Sequence, residues 1–345
     1  MGLRSAAIAC QRPTSAVSWI SRQQGRSLFN YLDDFIGVSS PSTATSNFQS
    51  LGDLLTSLGL QESSEKSCSP SPVMICLGVQ LDTNNFTLSV STERLCEIET
   101  LLDRWLTKRT FTKSALQSLV GKLVFVSKCV RQSRVFIARI LAPLGKLKHN
   151  HHHANLTSEF CKDLVWWRRF LREYNGVSMI SIAKWNSPND VFSTDVCLAG
   201  CGGVCDGQYF HGVFPSFISE QNLDISSFEL LTIVVALKLW GAGWTGPRIT
   251  VRCDNVAALT VLNAGRCRNP FMISCLSEIC YFAAIYEFKV CAVDILGVTN
   301  HFADLLSRCA SCSLAEKEQF LQCVQRDQWQ EVPVSDALFR FYGTF

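Results

Sequence analysis

Two groups of carboxylates in this chain have the types and spacing for chemistry on phosphates. The first is Tyr31-Leu32-Asp33-Asp34, which follows Leu28-Phe29 and precedes Phe35-Ile36-Gly37. That order reads as two short strands with an acidic turn at their tip. Adjacent carboxylates in an apolar hairpin repel unless a cation offsets them. Mg²⁺ takes oxygen ligands from one or two carboxylates together with substrate phosphates. An exposed Asp-Asp turn is the ordinary alternative. The second group is dispersed: Asp195 in Phe-Ser-Thr-Asp, Glu229 opening the most apolar helix, Asp254 after the strand Ile249–Cys253, and Asp304 in Asn-His-Phe-Ala-Asp. Each has an ordinary reading. Glu229 could complete a capping box with Ser226, Asp304 could complement a helix dipole, Asp254 could cap a helix, and Asp195 could simply end a strand. Four such residues on one side of one sheet point instead to two-metal phosphodiester cleavage, in which one ion generates hydroxide and the other stabilises the leaving oxygen.

The elements that must position the second group run from about Val191. Their order is three strands (Val191–Leu198, Gly203–Asp206, Tyr209–Val213), a helix (Ser226–Trp240), a strand (Arg248–Cys253), two helices (Val256–Asn263, Pro270–Phe288), a strand (Lys289–Leu296) and a helix (His301–Cys309). This is a mixed five-stranded sheet with helical crossovers, an α/β unit. Gly200-Cys201-Gly202-Gly203 reads as a flexible link. From Ser91 to about Gly176 the apolar spacing is helical: Leu95, Ile98, Leu101, Leu102, Trp105; then Leu116, Leu119, Val120, Leu123, Val124; a third helix over Val135–Leu147; a fourth from Ser158 to Glu173. Upstream, short apolar runs alternate with turns. Ser39–Ser50 reads as a loop, Phe48–Leu60 as helical, and Val73–Asp82 with Phe86–Val90 as a hairpin around Thr83-Asn84-Asn85. The expected divisions are 1–90, 91–188, 189–310 and a tail over 311–345.

The net charge of the 345 residues is only +3, so any nucleic-acid surface is local. One stretch stands out. No acidic residue lies between Asp103 and Glu159, whereas Arg104, Lys108, Arg109, Lys113, Lys122, Lys128, Arg131, Arg134, Arg139, Lys146 and Lys148 all do. Such a face suits phosphate backbones, whose neutralisation releases counterions; an idle basic surface is the alternative. His149 and His151–His153 are assigned to a loop, since three adjacent histidines cannot face one metal from a regular helix. Seventeen cysteines, an odd number in a long chain without a signal peptide, read as reduced thiols of the cytosol or nucleus rather than of a secreted protein. Cys309 and Cys312 lack the close His and Cys that a zinc knuckle needs. No run of about 18 uncharged apolar residues predicts a membrane span.

Over nearly its whole length the chain resembles the C-terminal part of a retrotransposon polyprotein: reverse transcriptase, thumb and connection, then RNase H. It is most similar to DIRS-like elements, with gypsy-like elements as wider kin. Tyr31–Asp34 resembles the polymerase carboxylate motif. Gly2–Ala6, with Arg4, and Gln11-Arg12 resemble the block that lines template and nucleotide, and Leu77-Gly78-Val79 the palm-to-thumb segment. Ser118–Leu123, His151–His153 and Trp166-Trp167 resemble the thumb and connection, and Ala303–Arg308 is a specific match to the last RNase H motif. The resemblance implies an α+β palm remnant, a helical thumb and connection, and an RNase H-like domain. It implies two Mg²⁺ ions, with Mn²⁺ as the alternative. Asp195 would bridge both ions, Asp304 would join it on the water-activating ion, and Glu229 and Asp254 would complete the other. Asp33 and Asp34 would be polymerase ligands. The implied substrate is the RNA strand of an RNA–DNA hybrid, with template-primer duplex on Arg4, Gln11, Lys108, Arg109, Lys113, Lys122, Lys128, Arg131 and Arg134.

Two departures shape the expectation. The family's polymerase needs a third carboxylate on an earlier strand and a fingers region, and this chain is expected to lack both. It would make no DNA without the upstream polymerase part. The family also carries a histidine ten residues before the last aspartate, where this chain has Asp294. The added negative charge predicts slower turnover. Ala7 and Leu296, which replace two of the family's prolines, point the same way. Against this ribonuclease stand a non-catalytic nucleic-acid-binding relic and an integrase- or resolvase-type nuclease.

Overall fold

A computed structural model describes residues 5–129, 133–173, 176–178, 188, 190–244, 248–309 and 313–341. The chain divides into two compact units, Met1–Thr87 and Leu88–Phe345. The sequence divisions at 188 and 310 are finer than this one. Helix and sheet are mixed throughout, in keeping with the α/β expectation.

In the first unit, helix α1 (Ala6–Gln23) packs on the hairpin β1 (Ser27–Tyr31) and β2 (Asp34–Val38), followed by α2 (Ala44–Ser57), β3 (Val73–Cys76) and β4 (Val79–Asp82). Its core is small: Val17, Leu28 and Leu55 are buried, with Phe35, Leu51 and Leu54 packed around them. The helix α1 lies where the sequence showed only short apolar runs. Its buried face is largely small and polar (Thr14, Ser18, Ser21) and it contains Pro13, which donates no backbone hydrogen bond. Two other expectations change. The loop expected at Ser39–Ser50 gives way to α2 from Ala44. The segment Val73–Asp82 folds back on itself at Leu77-Gly78, both of which have positive φ (52° and 80°). Asp82 accepts from the backbone of Asn84 and Asn85 in the turn that follows β4.

The second unit opens with β5 (Thr87–Val90), α3 (Thr92–Leu106), β6 (Thr110–Thr112) and α4 (Lys113–Val126). The continuous third helix expected over Val135–Leu147 is broken into a 3-10 turn (Ser133–Ile137), the one-turn α5 (Ala138–Leu141) and a second 3-10 turn (Ala142–Lys146) that carries Pro143. Then come β7 (His153–Asn155), α6 (Ser158–Glu173) and β8 (Val177–Ser178). Apolar residues at helical spacing close the core: Ile98, Leu102 and Trp105 from α3, Leu116, Leu119 and Leu123 from α4, Leu164, Trp167 and Phe170 from α6.

The rest of the unit is built on one six-stranded sheet. Its strands are β9 (Asp190–Val196), β10 (Gly200–Cys205), β11 (Gln208–Val213), β12 (Arg248–Cys253), β13 (Lys289–Asp294) and β14 (Gln330–Glu331), in the order β13-β12-β9-β10-β11-β14. The sheet therefore has one strand more than expected. The short β14 pairs parallel to β11 and comes from the segment read as a tail. The strands β9, β10 and β11 are antiparallel neighbours, whereas β12 runs parallel to β9 and β13 parallel to β12. The helices are α7 (Ser216–Ser219), α8 (Ile225–Trp240), α9 (Val256–Ala264), α10 (Pro270–Ile285), α11 (His301–Ser307) and α12 (Leu314–Asp327). Almost every residue of α8 is buried, against β9, β10, α9 and α10. Extended to Gly243, this helix is long and apolar enough to cross a membrane, but burial on all sides is the mark of a core helix. Phe320 of α12 packs with Tyr209, Leu305 and Leu306, and Lys238 donates to the carbonyls of Leu338 and Arg340. Arg139 ties the helical segment to the sheet segment. It pairs with Asp163 at 3.0 Å and donates to Pro270 O and Ser274 Oγ of α10.

Candidate active site

The site lies where the C-terminal ends of parallel strands meet. Asp195 is near the end of β9, in the middle of the sheet, opposite Gly202 of β10. Asp254 directly follows β12, and Asp294 ends β13, opposite Cys253. Because β9, β12 and β13 run the same way, their ends come together at one edge. Glu229 is a buried residue of α8, which packs on β9, and Asp304 is in the first turn of α11, which packs on β9 and β10.

The ordinary roles of these residues are taken by others. Asp224 caps α8 by accepting from Ser227 N, so Glu229 is no capping-box partner. Asn255, not Asp254, caps α9. The glycine run is no flexible link; it is strand β10. A Cβ on Gly202 would stand 2.7 Å from Ser307 N, and one on Gly200 would stand 2.9 Å from Ser307 O. Only glycine lets α11 lie this close to the sheet, and that approach brings Asp304 to the site.

Three supports were not legible in the sequence as site residues. Asn300 is buried and donates to Thr194 O at 2.9 Å, pinning the start of α11 to β9. Ser307 Oγ lies 2.8 Å from both Asp195 Oδ2 and Asp304 O, so its one proton is shared between them. Cys253, fully buried, points its thiol at Glu229 Oε2, 3.8 Å away. The signal for Ser307 was its place in the last motif; Asn300 and Cys253 gave none.

Two of the four carboxylates hold their protons more tightly than usual. Burial raises Asp195 to about 6, helped by Asp254 and Asp304 and opposed by the Ser307 hydrogen bond and Arg308. Burial also raises Glu229 to about 9, with Asp195 and Asp254 adding to it. Ligand atoms of Glu229, Cys253 and Asp254 lie within 4.8 Å of one another. Asp254 is exposed, Asp304 is half-buried, and Arg308 pairs with Asp304 at 2.8 Å. Asp294 is exposed and is not a neighbour that shifts Asp195 or Glu229. A site of carboxylate oxygens, two of them from nearly inaccessible groups, fits a hard divalent cation.

The first acidic motif is built differently. The hairpin forms with Tyr31 opposite Asp34, leaving Leu32-Asp33 as its two-residue turn, with Leu32 at φ 52°. Gln11 Oε1 accepts from Leu32 N at 2.9 Å, so Gln11 supports this turn from α1. Asp33 and Asp34 are both exposed, and among the described residues neither joins a group of three or more ligand atoms.

The expected basic face is partly neutralised. Lys122 pairs with Glu97, holding that carboxyl below its usual range together with Arg94. Arg139 is committed to Asp163 and Glu159, and Lys113 donates to Lys148 O. The acids come from α3 and α6, outside the acid-free stretch of sequence. Lys108, Arg109 and Lys128 remain exposed, Lys108 over the Trp105 ring. Arg4 and Arg131 lie outside the described residues, as does Cys312, and nothing is described of the Arg134 side chain. The rings of His149, His151 and His152 pack on one another, and these histidines form no ligand cluster among the described residues.

No protein-family model matches the chain, and no curated protein matches it. Three solved structures of foamy viral protease–reverse transcriptase are similar to it. The complex with double-stranded DNA shows 15% identity and a TM-score of 0.43 over 86% of this chain and 59% of that one. The complex with RNA/DNA hybrid shows 17% and 0.41 over 82% and 37%. The structure described as dRH, with double-stranded DNA, shows 15% and 0.42 over 85% and 49%. The chain thus spans less than two thirds of each of these proteins, and likeness at this level carries no conclusion about what it does.

Proposed function

We propose that the four carboxylates at the sheet edge form a divalent-cation site for phosphodiester hydrolysis, with the RNA strand of an RNA–DNA hybrid as substrate. The carrying observation is that Asp195 and Glu229, 5% and 3% exposed, are buried within electrostatic reach of each other and of Asp254, with Asp304 also acting on Asp195. Mg²⁺, or Mn²⁺, would be held by Asp195, Glu229, Asp254 and Asp304. When bound, such ions supply an activated water and stabilise the leaving oxygen. The chain's own residues set the stage. The Ser307 hydroxyl orients Asp195 while linking it to α11, Asn300 fixes the helix that carries Asp304, and buried Glu229 keeps water from the inner wall. Exposed Asp254 and half-buried Asp304 form the open side that meets the phosphate. The motif resemblance supplies the substrate class and the reading as part of a retrotransposon polyprotein working in cytosol or nucleus.

Asp33 and Asp34 belong in this reading to a polymerase carboxylate motif, separate from the hydrolytic site. The test is cleavage of a hybrid duplex by the full chain with Mg²⁺. Cutting of the RNA strand that disappears with chelator and in Asp254→Asn supports the proposal. Binding without cutting would leave the non-catalytic relic, and cutting of duplex DNA would point to the integrase-like class.

A further inference from the structure

The carboxylate site contains one group that phosphodiester hydrolysis does not call for. Cys253 is fully buried, and its thiol faces Glu229. The sulfur and one carboxylate oxygen from each of Glu229 and Asp254 lie within 4.8 Å of one another. Glu229 supplies a second, independent observation. Its side chain is 3% exposed, and among the described residues no N–H or O–H donates to it; the only hydrogen on offer is that of the Cys253 thiol. A buried carboxylate held by so weak a donor is poorly satisfied.

We propose that Glu229, Cys253 and Asp254 form a thiolate–carboxylate site for a borderline or soft divalent ion of the zinc or cadmium class. A thiolate adds little for Mg²⁺ but much for Zn²⁺, which binds Cys and carboxylate ligands together. With zinc–sulfur bonds of about 2.3 Å and zinc–oxygen bonds of about 2.0–2.2 Å, ligand atoms on one tetrahedral ion stand roughly 3.5 Å apart. Exposed Asp254 can close the remaining gap by changing rotamer. On binding, the S–H bond breaks, a metal–sulfur bond forms, and the proton leaves to solvent. The ion would occupy the corner that the proposed hydrolysis assigns to the leaving-group side, so this inference deepens that reading. It makes the enzyme sensitive to trace zinc.

The experiment uses the full chain under reducing conditions and binds Cd²⁺ and Zn²⁺ directly, with no measurement of cleavage. The wild type should give a cadmium–thiolate charge-transfer band that saturates with Cd²⁺, and the part due to this site should vanish in Cys253→Ser. Zinc affinity, measured by competition with a chromophoric chelator, should fall at least roughly tenfold in Cys253→Ser. Asp254→Asn, at an exposed position, tests the same site without disturbing the core and should weaken zinc binding while leaving the fold intact. An unchanged band in Cys253→Ser, or unchanged zinc affinity in Asp254→Asn, overturns the proposal. Because no readout depends on hydrolysis, failure of the ribonuclease reading would show up separately, as absent cleavage by a protein that still binds zinc.

Discussion

The two acidic motifs differ in what surrounds them. Asp33 and Asp34 are neighbours in sequence and sit exposed at the tip and flank of a hairpin. Asp195, Glu229, Asp254 and Asp304 are separated by as many as 109 residues (from 195 to 304), yet burial together with the neighbouring carboxylates raises both Asp195 and Glu229. Adjacency in sequence supplies two charges that water already solvates. Convergence of strand ends and helix starts removes water from two carboxylates and leaves a cation as the natural remedy. Only the second arrangement has a mechanical reason to bind metal with the residues described.

The sharpest break of this contrast is a paired set of substitutions. Asp254→Asn and Glu229→Gln should each lower Mg²⁺-dependent hybrid cleavage roughly 100-fold or more, because each removes a proposed ligand. Asp33→Asn and Asp34→Asn should leave it unchanged. If the hairpin variants lose cleavage as well, the two sites are not separate in function. Next in size is Gly202→Ala. The added Cβ has no room beneath Leu306 and Ser307, so α11 must shift; about 1–3 kcal/mol of stability should be lost. Thermal unfolding reads the stability change. Cleavage should fall with it, since Asp304 rides on α11.

A third test uses pH. Both Asp195 and Glu229 hold their protons more tightly in the fold than when unfolded, where they would have ordinary values near 3.8 and 4.5. Their contribution to stability is therefore full below those values. It is lost as pH rises through about 6 for Asp195 and about 9 for Glu229. Without divalent ions, stability should fall between pH 5 and pH 9 by an amount on the order of a few kcal/mol. Glu229→Gln should flatten most of that slope. Mg²⁺ favours the ionised carboxylates, so it should raise the melting temperature more at pH 8 than at pH 5. A metal-free stability that rises over this range would show that the carboxylates are not held as described.

Much of this contrast could be read from the sequence, and the gaps have physical causes. The strand ending at Asp195, the apolar helix carrying Glu229 and the motif around Asp304 each announce themselves by local pattern. The hairpin at Tyr31–Asp34 does too. In helix α1, Pro13 and a small polar buried face hide the periodicity. The glycines of β10 read as flexible because glycine is permissive; what they do instead is admit α11, a contact between residues a hundred positions apart. Asn300, Ser307 and Cys253 are ordinary residues whose roles come only from which oxygen they reach. The sixth strand, two residues long, has too little pattern to be seen before its partner β11 is in place.

The smallest effects concern the basic face, where the sequence overstated the available charge. A run without acids looked uniformly cationic, but α3 and α6 fold Glu97, Glu159 and Asp163 against it. Lys122→Ala should therefore change nucleic-acid affinity little, since its charge is already offset by Glu97. Replacing Lys108, Arg109 and Lys128 together should weaken binding at low salt. For every phosphate left without its cation, the slope of log affinity against log salt should shrink by about 0.9. Measuring that slope on hybrid and on duplex DNA separates the face from the acidic site, because a nonspecific phosphate surface lowers both slopes alike. If Lys122→Ala alters the slope as much as Arg109→Ala does, the Glu97 pair opens in the complex, and the face is broader than the free protein displays. An unchanged slope in the triple variant would move the phosphate-binding cations off this face altogether. The carboxylate edge would then have to rely on other cations, such as Arg308, to draw in a polyanion.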